Sequence, residues 1–138
     1  MGFPYLNFMP FEELFDETWR YMSIDGFEPL KTYLHEYLSK KIPGMLNFLN
    51  MLCNVMHRSD CISLLLVSPS KLYLTILSHY RGDMLSADYA FTLVFLSPIS
   101  AYFKKPELVQ QLLEFVKTGR DSDFADLIKK SLKDSLPG

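Results

Sequence analysis

From Cys61 to Phe103 the chain is crowded with large apolar side chains, and in the first part of that stretch, CISLLLVSPSKLYLTIL, Lys71 is the single charge. Such a run must be covered by the rest of the chain, so any fold has to be built around it. Two Ser-Pro dipeptides punctuate it, Ser68-Pro69 and Ser97-Pro98. Each predicts a helix start, because serine accepts from orphan amides and proline is tolerated in a first helical turn. The hexamers ISLLLV and FTLVFL have enough β-branched and aromatic character for buried strands, but the flanking pattern favours helices.

The stretch reads as helices from about 61 to 67, from Pro69 to His79 or Tyr80, from Ser86 or Asp88 to Leu96, and from Ser97-Pro98 to Phe103, with Arg81-Gly82-Asp83 as a turn. LLLVSPSKLYL and LVFLSPISAYF resemble each other at a 29-residue offset. The pattern does not recur, so a shared helix-start signal explains it better than a repeat array.

The segments around this core also carry helical spacing. Phe11 to Ser23 places Phe11, Leu14, Phe15, Thr18, Trp19 and Met22 on one stripe, with Glu12, Glu13 and Asp16 at its dipole-positive start. Gly26 closes a turn, and a second helix runs from near Pro29 to about Lys41 with Leu30, Tyr33, Leu34, Tyr37 and Leu38 inward. After Pro43-Gly44 a third repeats Met45, Phe48, Leu49, Leu52, Cys53 and Met56, leaving Asn47, Asn50 and Asn54 off the stripe. Ser59 or Asp60 caps the next element. Near the end, Leu108, Val109, Leu112, Leu113 and Val116 face inward before Gly119, and Ser122 caps a last helix with Phe124, Leu127, Ile128 and Leu132 on one face. The expectation is an all-α, compact single-domain bundle of six to eight short helices around a central hydrophobic helix pair. Residues 1–10 would form an aromatic N-terminal strap, 11–135 the helical domain and 136–138 a tail.

Two cysteines are too few for a disulfide scaffold, and MGFPYLNFMPFEELF lacks the basic start and apolar run of a signal peptide, so a cytoplasmic setting is expected. Leu6 departs from the myristoylation pattern that Met1-Gly2 suggests. Tyr89 to Phe103 and Met45 to Met56 are uncharged but shorter than the ~20 residues a spanning helix needs, and Pro98 divides the former, so no membrane segment is expected.

Few residue constellations suggest chemistry. Cys53, His57 and Cys61 stand at i, i+4 and i+8, a thiolate and imidazole set that suits zinc if one unbroken helix carries all three, with His35 or His79 as a fourth ligand. Arg58-Ser59-Asp60 reads as a helix boundary that would splay them, and small buried cysteines are common core residues. Cys53 with His57 as nucleophile and base lacks an electropositive surround. Glu12/Glu13 and Asp16/Glu17 belong to a solvated helix face, and no phosphate loop, zincin motif or nucleophile elbow is present. No enzyme activity and no cofactor are expected.

Charge is uneven: residues 1 to 36 hold seven acids against Arg20 and Lys31, and the remainder is basic by 12 to 9. The acidic head thus has a candidate partner in the chain's own basic tail. A pI near 5.9 disfavours a broad phosphate-binding surface. The best nucleic-acid patch would be a C-terminal basic edge of Lys104, Lys105, Lys117, Arg120, Lys129, Lys130 and Lys133, diluted by Asp121, Asp123, Asp126 and Asp134.

For protein binding the signal is the surplus of apolar bulk, 11 Phe, 8 Tyr and 7 Met, more than a small bundle hides. Phe3, Tyr5, Phe8 and Phe11 are the expected partner-binding residues, docking in cis or in a second subunit. The function expected is a non-enzymatic interaction module, an adaptor, regulator or small subunit with a protein partner or a second copy. An accessory subunit of a nucleoprotein complex is the alternative.

Overall fold

The computed structural model describes residues 27–135, so the strap, the helix expected at 11–23 and the tail lie outside the described residues. Helix α1 occupies residues 27–41, followed by α2 (Pro43–His57), α3 (Cys61–Val67), α4 (Pro69–His79), α5 (Met84–Phe91), a π-helical segment (Thr92–Leu96), α6 (Ser97–Phe103), α7 (Leu108–Lys117) and α8 (Asp121–Asp134). The fold is all-α, a compact single domain. Among the described residues there is no strand, and ISLLLV and FTLVFL are both helical.

Helix α4 is the hub, packing on α2, α3, α5, α7 and α8. Its buried Tyr73 meets Phe91 of the following helix edge-on at 5.7 Å, and Leu72 and Ile76 share with Phe95, Leu96 and Ile99 one core that takes in Leu30, Leu34 and Leu38 of α1, Leu112 and Val116 of α7, and Phe124 and Ile128 of α8. The hydrophobic pair read from 61–80 and 86–103 is therefore central, as its lack of polar face requires.

Several local expectations are corrected. In α2 the buried face is Leu46, Leu49 and Cys53, so the stripe is rotated from that expected: Met45 and Met56 are exposed, and Phe48 and Leu52 half-buried. Helix α5 starts at Met84, not at Ser86 or Asp88, because Asp83 takes the N-cap position and accepts the Ser86 hydroxyl at 2.8 Å. Helix α8 starts at Asp121, with Ser122 inside its first turn.

The largest correction concerns Ser97-Pro98, which starts no new helix. Ser97 stays right-handed helical and its N–H bonds to the Thr92 carbonyl, five residues back. Proline cannot donate to the carbonyl four residues earlier and would clash with it, and the wider π turn accommodates that defect without a break. Met84 to Phe103 is consequently one uninterrupted helix of 20 residues, long and apolar enough by length and composition to cross a membrane. The premise that proline divides this stretch does not hold. Core helices pass the same test, and this one buries Ala87, Phe91, Phe95, Leu96, Ile99 and Phe103 within the bundle.

At Ser68-Pro69 the chain does break, with Ser68 at φ −147°. The Ser68 side chain makes no cap to α4. The acceptor comes instead from α8: Asp121 Oδ1 receives the Ser70 N–H at 3.0 Å, and Oδ2 receives the Ser70 and Ser68 hydroxyls at 2.9 and 3.3 Å. The two Ser-Pro units thus differ in backbone course, which removes the structural basis for reading them as a duplication.

Candidate interaction surface

Large apolar side chains left in water define the surface. Along α5 and the π-helical segment, Leu85, Tyr89 and Leu93 recur every four residues and are 83%, 70% and 51% exposed. They lie on the side of the helix away from Ala87, Phe91 and Phe95, which are fully buried. Met84 and Leu74 of α4 are exposed too. A second group, Met51, Val55 and Met56 on α2 with Val67 at the end of α3, is likewise exposed. Neither group was anticipated as surface. The i, i+4, i+8 spacing of 85, 89 and 93 was visible, but it falls across the helix start expected at 86 or 88.

Beneath the α5 stripe the helix is anchored by charge. Asp88 accepts the Tyr73 hydroxyl of α4 through one oxygen and the Lys117 ammonium of α7 through the other, the latter at 2.7 Å. Burial, and then the bond to Asp88 and its negative charge, push the Tyr73 phenol far above the usual tyrosine range. The phenol therefore stays a donor, and the Asp88 carboxylate that it meets joins α4, α5 and α7 beneath the outer face of α5.

The Cys53, His57 and Cys61 set is divided. Helix α2 ends at His57, Arg58 turns left-handed at φ 56°, and Cys61 opens α3. Both cysteines are free and fully buried. Burial, with Asp60 nearby, pushes the Cys53 thiol up to about 11, and burial, Cys53 and Asp60 push the Cys61 thiol up to about 12. Such thiols are poor nucleophiles and poor ligands. His57 Nε2 lies 2.9 Å from Thr75 Oγ1, whose proton goes to the Lys71 carbonyl, so His57 is the donor. Among the described residues no group of three or more His, Cys, Asp or Glu is arranged to hold a metal ion.

The helix boundary between His57 and Cys61 is itself well satisfied. Asp60 Oδ2 accepts the Ser63 N–H at 3.0 Å as an N-cap, and Asn50 Oδ1, from the middle of α2, accepts the Cys61 N–H at 2.9 Å. Burial alone would raise the Asp60 carboxyl, but the Ser63 bonds and the Lys31 charge hold it below the usual range.

The C-terminal basic edge is split and partly neutralised. Lys105 pairs with Asp134 at 3.4 Å, Lys117 with Asp88, and Arg120 with Asp123 at 2.7 Å. The Lys105–Asp134 pair puts Lys104 and Lys105 at the Lys130 and Lys133 end of the α7–α8 hairpin, while Lys117 and Arg120 sit at its other end, with Lys129 on α8 between. A helix the length of α7 separates the two ends by ~15 Å. Phe3, Tyr5, Phe8 and Phe11 lie outside the described residues.

No family model, curated protein or solved structure matches the chain.

Proposed function

We propose that the protein is a non-enzymatic protein–protein interaction module that presents the outer face of α5 to an amphipathic helix of a partner or of a second copy, as an adaptor, regulator or small subunit in the cytoplasm. The observation that carries this is the Leu85, Tyr89 and Leu93 stripe. Its four-residue spacing matches the anchors used in helix-to-helix recognition, and an aromatic flanked by aliphatics is the usual centre of such a contact. Contact with nucleic-acid backbone has less behind it, because Lys105, Lys117 and Arg120 are paired with carboxylates and the set occupies two ends of a hairpin.

Photocrosslinking tests the proposal. A benzophenone amino acid placed at position 89 should capture a specific adduct in extract of cells that make the protein, and L85E/L93E should abolish it while the helical spectrum stays unchanged. Adducts no stronger than those from position 130, on exposed α8 surface, would reject the α5 face as the binding site.

A further inference from the structure

The second apolar group is part of a groove of different character. Where α2 ends, α3 runs past and α4 begins, Met56, Leu64 and Val67 form an apolar floor flanked by His57, Arg58 and Lys71, around a cavity of about 530 Å³. Ser59 and Ser68 complete the lining, and among the described residues no carboxylate lines it, the Asp121 carboxylate behind Ser68 being taken up by the Ser68 and Ser70 bonds. Asp60 is adjacent in sequence, but its carboxylate turns to Ser63 and borders a separate cavity with Lys31 and His35. His57 is held by Thr75, whereas the Arg58 and Lys71 side chains have no ion pair among the described residues.

Such a groove suits a short amphipathic helix that is apolar on one face and acidic on the other, since burial of the first and attraction of the second act together. Residues 11–23 of this chain, FEELFDETWRYMS, have that composition: Phe11, Leu14, Phe15, Trp19 and Met22 against Glu12, Glu13, Asp16 and Glu17. The described chain also begins in the right place. Glu28 and Lys31 of α1 line one cavity with Asp60 and Ser63, the immediate sequence neighbours of Ser59 and Leu64 in the groove. Three residues, 24–26, join that end of α1 to the segment, a reach of roughly 10 Å at full extension. The other intramolecular candidate, the basic tail, already spends Lys105, Lys117 and Arg120 on its own neighbours.

We infer that the groove between α2, α3 and α4 is the intramolecular docking site of the acidic amphipathic segment 11–23, with Arg58 and Lys71 facing its carboxylates. This face is distinct from the α5 stripe, so the two readings fail separately.

Trp19 is the only tryptophan, which makes it a clean reporter. In the full chain its fluorescence should be blue-shifted and several-fold less quenched by acrylamide than in a peptide of residues 10–26. R58E/K71E should raise quenching toward that of the peptide with the far-UV dichroism intact. E12K/E13K/D16K/E17K should do the same without touching the bundle, and combining the two sets should restore protection. Peptide-like quenching in the native chain, or protection that neither set alters, would overturn the assignment. Protection lost on dilution, with a fall from dimer to monomer mass by light scattering, would place the segment on a second copy and also overturn it.

Discussion

Asp121 caps a helix that begins 52 residues before it. Its carboxylate accepts the backbone N–H and the hydroxyl of Ser70, so the first turn of α8 supplies what the first turn of α4 lacks. Helix N-caps are worth about 0.5–2 kcal/mol, and a charged acceptor sits at the upper end. Asp121→Ala should therefore lower stability by about 1.5–2 kcal/mol and the melting temperature by roughly 5–7 °C. Asp121→Asn, which keeps an acceptor, should recover part of the loss. Equal stability of the alanine variant and the parent in urea titrations would show that α4 does not depend on this contact.

Tyr73, Asp88 and Lys117 make a second long-range link whose members should contribute unequally. Asp88→Ala leaves a buried phenol unsatisfied and should cost about 2–3 kcal/mol. Lys117→Met removes only a partly exposed ion pair, worth about 0–1 kcal/mol. Because burial raises the phenol in the folded state, its contribution is complete below the unfolded tyrosine value near 10 and is lost as pH rises above it. Absorbance at 295 nm should show a component of the tyrosine titration displaced to higher pH in the folded protein relative to urea, and Tyr73→Phe should remove that component.

The two thiols set a different alkaline limit. Their raised values mean that folding favours the protonated forms, so stability is full below the unfolded thiol value near 8.5 and declines as pH climbs toward 11 and 12. At pH 8 a disulfide reagent should leave both cysteines unmodified in the native state and titrate two thiols in denaturant. Rapid modification of either in the folded protein would contradict the burial of Cys53 and Cys61.

Asp60 works in the opposite direction. Its carboxyl is held low, so the cap contributes fully above the unfolded value near 4 and is lost as pH falls below that. Asp60→Ala should cost about 1 kcal/mol at pH 7 and much less at pH 3. Urea midpoints of parent and variant measured from pH 3 to 7 should converge at the acid end; parallel curves would assign the cap no ionic component.

What could be read from the sequence followed from periodicity and punctuation. Leu30, Leu34 and Leu38 repeat at helical spacing, Gly119 takes the left-handed conformation at φ 73° expected of a stop, and Asp60 is a cap. What could not be read depended on partners far away in the chain. The same dipeptide breaks the helix at Ser68 and passes through it at Ser97. The first break is satisfied by Asp121, about 50 residues on, and the second is absorbed by a turn whose hydrogen bonds have no sequence signature. Which apolar side chains stay in water was illegible for a related reason. Met45 and Leu46 are equally apolar, and only the packing of α2 on α3 and α4 decides which of them faces inward.

The π turn at Thr92–Leu96 carries one residue more than an α turn would need. Each residue rotates the helix by about 100°, so that surplus sets the phase at which Ile99 and Phe103 arrive at the core. Closing the turn by loss of one residue would bring the Pro98 ring back against the carbonyl four residues before it, so the π turn and the proline are tied to one another. Loss of one residue between Met84 and Phe91 would instead swing the buried side chains before it out of register. The 20-residue helix is consequently intolerant of length change along its whole course, for a backbone reason at one end and a packing reason at the other.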